Sequence, residues 1–421
     1  MYAQAQHRKR RRRQLEGLVR IPSHKLEYAY YVAVIYTVMG PAVGLEIPLV
    51  AGLMIVVISA ACIRQLRSCA KIVYGPIALL LACAASFFLV QILIHGESIL
   101  DSTLRGYILW ILTLIIVKSL CLRRGFSRRF PLVLFAIGVA TVPFVGFNQE
   151  AVDQARIDIA VQGGLTHPGG LAEWFGCLTI YFAIIGLESR RSFVQLGAWL
   201  IGVGCLFIVM LTVERGPLLA TALAITVGLR GLLRRGFVPL LALIILAGVF
   251  SLSGLFEKAV SSYTQRGLEE TGREVLWPMA VDRFLTSPLG GVGESNILLR
   301  PPMSSKASPP HNAFLHVALS SGVVPFAFFL AFWIQAARRT VHAKGQDGDS
   351  FRLPYLVFTF VTNMTGDTEF MSIWGLFALS LAAGSAVVYG KQRLHVARVG
   401  NKIRSGLFPN SRRRVLARSQ S

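Results

Sequence analysis

The stretch IVYGPIALLLACAASFFLVQILIH, Ile72 to His95, runs 24 residues without one Asp, Glu, Lys or Arg. A helix of that length crosses the ~30 Å hydrocarbon layer of a bilayer, which needs about 17 to 25 apolar residues. Its flanks differ in charge. RQLRSCAK (64–71) precedes it with three basic residues, whereas HGESILD (95–101) follows it with two acidic ones. Basic residues collect on the cytoplasmic side of a span, so the two flanks set an orientation as well as a crossing.

The rest of the chain repeats this pattern. Of 421 residues 54% are hydrophobic and 39 are glycine, with mean hydropathy +0.57, which excludes an ordinary soluble domain. A net charge of +22 would suggest nucleic acid in a soluble protein, but here the basic residues fill the gaps between apolar runs, so no nucleic-acid partner is expected. Twelve candidate spans centre on 28–45, 47–63, 72–95, 104–122, 130–147, 170–187, 193–213, 217–233, 237–254, 313–335, 351–364 and 371–390. The first, second and eleventh are the weakest. With a cytosolic N-terminus, strict alternation puts LRRGFSRRF, ESRRS, GLLRRG, AARRTVHAKGQ and SRRRVLARSQS inside, and NQEAVDQARID and TGDTEF outside. The expected fold is an all-α polytopic membrane protein of about 12 transmembrane helices.

Its expected organisation is a basic cytoplasmic tail (1–27), helices one to nine (28–254), a large outside loop (255–310), helices ten to twelve (311–390) and a second basic tail (391–421). The N-terminal tail is too far from the first apolar run to read as a cleaved signal. LRRGF occurs twice, at Leu122–Phe126 and Leu233–Phe237, as a shared turn and not a duplication. The six cysteines show no CxxC and no metal-ligand spacing, and read as small core residues. Within the long loop, REVLWPMAVDRFL (273–285) places Val275, Leu276, Met279 and Phe284 near one side, as in a short amphipathic helix at a membrane surface.

Candidate chemistry lies on the outside connections. In SPPHNAF, Ser308 followed by Pro309 and Pro310 reads as a helix N-cap with His311 in the first turn, where the helix dipole keeps an imidazole neutral and able to accept a proton. The plainer alternative is a histidine that only caps a helix. Gly322, eleven residues on, and Pro325 allow close approach and a bend in one continuous span.

Arg215 sits at an outer junction, and Arg273 and Arg266 sit in the long loop, against the rule that disfavours outside arginine. Guanidinium forks grip phosphate in bidentate fashion. Ion pairs with Glu214, or with Glu269, Glu270 and Glu274, are the competing reading. Asn312, His167 and Asp367 are further candidates for substrate contact, and Asp367 with Glu369 has the spacing of a D-x-E metal pair without a further ligand. Glu97, Asp101, Glu150 and Asp153 read as loop acids or sugar ligands. Asp347-Gly348-Asp349 lies in a cytoplasmic turn, and GGVGES (290–295) follows no strand, so neither marks a nucleotide site.

Taken in order, HPGGLAEW (167–174), ERGPLLA (214–220), GREVLW (272–277), SPLGGVG (287–293) and His311-Asn312 followed by Gly322-x-x-Pro325 resemble the O-antigen ligase and polysaccharide polymerase superfamily of bacterial membrane glycosyltransferases, over roughly 165–335. The resemblance implies a GT-C-type enzyme of the inner membrane. It would transfer a glycan from undecaprenyl diphosphate to a saccharide acceptor, the lipid A core or a growing polysaccharide, at the periplasmic face, with inversion and with no metal or other cofactor. His311 would take the acceptor proton, and Arg215 with Arg273 or Arg266 would hold the diphosphate. The chain departs from the commoner Ser-Arg-Gly at Glu214-Arg215-Gly216. Two other classes stay open: a twelve-helix secondary transporter and a non-catalytic polysaccharide-export component.

Overall fold

The computed structural model describes residues 23–40, 48–66, 75–98, 102–121, 123, 125–150, 154–159, 168–189, 191–228, 261, 273–301, 307–342, 349–366 and 372–382. The helices are α1 (His24–Met39), α2 (Pro48–Leu66), α3 (Pro76–Leu93), α4 (Ser102–Leu120), α5 (Phe126–Thr141), α6 (Pro168–Glu188), α7 (Ser192–Leu211), α8 (Arg215–Gly228), α9 (Arg273–Thr286), α10 (Ala313–Ser321), α11 (Val323–His342), α12 (Arg352–Thr365) and α13 (Ile373–Ala382). A helix lies at every expected span except 237–254, which is outside the described residues. Among the described residues four helices are long and apolar enough to cross a membrane: 76–93, 126–144, 168–188 and 192–211.

Two departures from expectation bear on the site. The segment after α5 forms an antiparallel hairpin, β1 (Val145–Glu150) with β2 (Gln154–Ile159), pairing Val145 with Ile159 and Glu150 with Gln154. The described residues are therefore helical with one hairpin. The expected 313–335 span is two helices, broken at Gly322. In a continuous helix the Leu319 and Ser320 carbonyls would accept from the next turn of the same helix. Here Val292 N–H donates to Leu319 O (2.8 Å), Gly293 N–H donates to Ser320 O (3.1 Å), and Val323 N–H turns to Pro288 O (2.8 Å). The 288–293 backbone thus replaces the missing helical bonds one for one. Gly322 adopts φ +81° and ψ −170°, and a Cβ there would overlap the Leu289 carbonyl, so only glycine fits.

α6 is the central helix: 83% of its span is buried, against 33–39% in the other three long apolar helices. Small residues let its neighbours close in, with Gly186 under Trp199 of α7, Gly202 of α7 against Phe182, and Gly176 against Thr221 of α8 and Phe358 of α12. Such close van der Waals packing joins helices where lipid removes the hydrophobic drive between them. An aromatic stack of Tyr30, Phe126, Phe130 and Phe377 ties α1, α5 and α13, with centroids 5.0–5.6 Å apart along the stack.

The described helix ends gather in two groups. In one, Glu27 of α1 (1% exposed) takes Arg123 Nε at 2.7 Å and Arg129 Nε at 2.7 Å, and accepts from the Tyr31 hydroxyl at 2.6 Å. Arg128 reaches Glu188 at 3.1 Å. The arginines of the LRRGFSRRF turn therefore hold a buried carboxylate. In the other, the C-terminus of α3, residues 288–295, α9, α10 and the ends of α8 and α12 meet.

Candidate functional site

α9 begins at Arg273 and buries Leu276 and Ala280 against Ile297, Leu299 and Leu319. It packs on α10 with Leu276, Met279 and Phe284 of the expected apolar side in that cluster, whereas Val275, the fourth, is 41% exposed. Arg273, at its first position, donates from Nη2 to the Thr365 carbonyl at the end of α12 (2.8 Å). One turn later Trp277 Nε1–H donates to Pro310 O (2.9 Å) and pins the residue just before His311.

His311 does not lie in the first turn of a helix begun at Ser308. Ser308 pairs with Leu299 in a short bridge (2.8 and 2.9 Å), and the N-cap is Asn312, whose Oδ1 accepts from Phe314 N–H (2.9 Å) and Leu315 N–H (3.2 Å). An amide oxygen caps the orphan donors at a helix start better than a hydroxyl four residues upstream can. His311 stands one residue before the cap, half-buried, with Nε2 2.8 Å from Ser308 Oγ. The Asn312 reading as a substrate contact is accordingly narrowed, because its carbonyl oxygen serves the helix.

Arg215 opens α8, and its Nε is buried without a hydrogen-bond partner among the described residues. Its neighbour Gly216 lies so close to Thr365 that a Cβ would overlap Thr365 Oγ1. Thr365 is thus the common neighbour of the Arg215 turn and the Arg273 side chain. Two non-glycine residues among those described have positive φ: His311 (+50°) and Val213 (+55°), two residues before Arg215. For a β-branched valine this is a genuine outlier, and such strain collects where surrounding structure holds functional groups in place.

Arg266, His167 and Asp367 lie outside the described residues, as do Asp101, Asp153 and Glu369. HPGGLAEW is visible from Pro168: Gly170 abuts Trp374, and Trp174 stacks on Trp374 with centroids 5.3 Å apart and planes 7° apart. Glu97 is engaged by Ser295, whose N–H (3.1 Å) and hydroxyl (3.0 Å) donate to its Oε1, which makes it a loop anchor. Among the described residues no group of His, Cys, Asp and Glu could hold a metal ion.

Sequence reading passed over a buried polar group beside the site: Gln91 (0% exposed), Tyr107, Glu294 and His316 (2% exposed). His316 Nε2 is 3.1 Å from both Glu294 carboxylate oxygens, and the Tyr107 hydroxyl is 3.3 Å from each of Glu294 Oε1 and His316 Nε2. The one signal in the chain was His316 itself, the single ionisable residue of α10. Gln91, Tyr107 and Glu294 come from three distant segments that only folding brings together.

No curated protein matches the chain. Residues 175–330, which include Arg215, Arg273 and His311 and run from α6 into α11, match the family model described as O-antigen ligase. The match is confined to residues 175–330, and over them the chain carries a domain of the O-antigen ligase and polymerase family.

Proposed function

We propose that the protein transfers a glycan from undecaprenyl diphosphate to an acceptor sugar at the periplasmic face of the bacterial inner membrane, either capping lipid A core or extending a polysaccharide. The basic tails, 1–27 and 391–421, would lie in the cytoplasm, and the end of the bundle bearing His311 would face the periplasm. One observation carries the reading. Gly216, next to Arg215, abuts Thr365, whose carbonyl accepts from Arg273, and α9 joins Arg273 through Trp277 to the segment of His311.

In this reading the His311 imidazole, with Nε2 beside Ser308 Oγ, takes the acceptor hydroxyl proton. The acceptor oxygen forms its bond to the anomeric carbon from the face opposite the diphosphate. The bond from that carbon to the diphosphate oxygen breaks, and its electron pair leaves with undecaprenyl diphosphate. Arg215 and Arg273 offer fixed positive charge where the leaving group becomes more negative, the electrostatic part of catalysis. Inversion follows from the single displacement. Arg266, His167 and Asp367 remain candidates for donor or acceptor contacts.

The broken α10–α11 helix is the observation that favours a transporter, since unwound helices there coordinate ions through free carbonyls. Here the Leu319 and Ser320 carbonyls are taken by Val292 and Gly293 N–H, and Ser320 O also accepts from Gln91 Nε2 at 2.9 Å. The test is a deletion strain examined for capped lipid A core and for polysaccharide chain length, complemented with wild type or His311→Ala. Loss of one product, restored by wild type alone, identifies ligase or polymerase. Restoration of both products by His311→Ala would end the catalytic reading.

A further inference from the structure

α10 has nine residues, and an isolated helix under about 12 to 15 residues is marginal. It keeps its place only through what holds it. Its start is held by the Asn312 cap and its end by the 288–293 backbone. Its middle is held by His316, the fifth residue after His311.

The group around His316 closes a ring. The Glu294 carboxylate can only accept, so the two 3.1 Å contacts place a proton on His316 Nε2, and the Tyr107 hydroxyl supplies a second donor. Glu294 N–H donates to Gln91 Oε1 (2.9 Å), and Gln91 Nε2–H donates back to Ser320 O (2.9 Å), one turn along α10 from His316. The path therefore leaves α10 at His316, passes through Glu294 and Gln91, and returns to α10 at Ser320. His316 N–H also donates to Asn312 O (2.8 Å), the first backbone bond after the cap. With Glu294 only 9% and His316 2% exposed, every donor in the ring matters, because a buried carboxylate without partners is costly. A helix held at two points one turn apart can neither slide nor rotate without breaking this ring.

We infer that His316, held between Glu294 and Tyr107, is a positioning residue that sets the place of α10 and hence of His311; this rests on the transfer reaction proposed above. His316 would touch neither donor nor acceptor. Its effect belongs in turnover and not in donor binding.

The test compares full-length wild type, His316→Leu and His316→Gln reconstituted in lipid, with purified undecaprenyl-diphosphate-linked glycan as donor. Hydrogen exchange across 313–321 is followed in the same samples. The glutamine amide reaches about as far as Nε2 and can still donate to Glu294. His316→Leu should lower kcat by about 10-fold or more, the effect of a lost buried hydrogen bond to a charged group, with KM for the donor within about 3-fold. His316→Gln should restore most of kcat, and exchange in α10 should rise in the leucine variant alone. A leucine variant with wild-type kcat or unchanged exchange overturns the inference. So does a glutamine variant as slow as leucine, which would mean that the imidazole acts chemically. If wild type transfers no glycan while exchange rises with leucine and recovers with glutamine, the transfer reading falls and the mechanical link stands. Should leucine prevent folding, Tyr107→Phe removes one donor to Glu294 without adding volume. It should lower kcat by about 3-fold or more with KM unchanged, and wild-type kcat in that variant would overturn the inference.

Discussion

Replacing Gly322 by alanine would put a Cβ where the Leu289 carbonyl already lies and close to Gly290 N. The backbone at φ +81°, ψ −170° is a region that essentially only glycine occupies, and holding another residue there costs about 1–3 kcal/mol. Forcing the 289–290 backbone away adds a similar overpacking cost of about 1–3 kcal/mol. The sum, roughly 2–6 kcal/mol, is large against a typical total stability of about 5–15 kcal/mol. It acts on the junction that replaces the helical bonds of Leu319 and Ser320, so α10 should loosen before the bundle melts. Thermal unfolding in detergent, followed by tryptophan fluorescence, should show a lower or broader transition, and glycan transfer should fall by about 10-fold or more. Gly204→Ala in α7 is the control, since nothing lies within 4 Å of a Cβ there and alanine is the better helix former by about 0.5–1 kcal/mol. Wild-type melting and transfer in Gly322→Ala would refute the wedge as what divides the helix.

His311→Ala should abolish transfer with an unchanged melting curve, measured in vesicles; residual activity above about 1% of wild type would argue against a general base. Arg273→Lys keeps the charge but loses the fork that can bond Thr365 O and a phosphate together, so kcat/KM should fall by about 10-fold or more, and full activity would exclude bidentate binding. Glu27→Ala leaves Arg123, 9% exposed, without its carboxylate and should lower stability by about 3 kcal/mol, read as a thermal shift. Arg129→Ala in the same assay should cost about 1 kcal/mol or less, because its side chain is 41% exposed and screened by solvent.

Apolar runs and charge alternation located the helices, because a membrane span must satisfy its backbone internally and so reads as a local pattern. Proline punctuation marked the start of α8 next to Arg215, whereas Gly322 and Pro325 read as a bend in one continuous span and did not reveal the break. The β-hairpin at 145–159 was not legible, since NQEAVDQARID has the polar composition of any loop. The cap at Asn312 was misplaced onto Ser308. Both residue types cap helices, and the Leu299 bridge that removes Ser308 from the helix lies nine residues away in the chain.

The amino-acid order by itself determined that this is a polytopic helical chain, and it singled out His311, Arg215 and Arg273 as the residues to examine. Tertiary structure decided that the tenth span is two helices, that Thr365 is the shared neighbour of the Arg215 turn and Arg273, and that Gln91, Tyr107, Glu294 and His316 close on α10. The physical reason is distance along the chain. Helical period and charge bias act over a few residues and leave a trace in order. A backbone wedge or buried hydrogen-bond ring joins groups up to 229 residues apart, and that pairing exists only once the helices have packed.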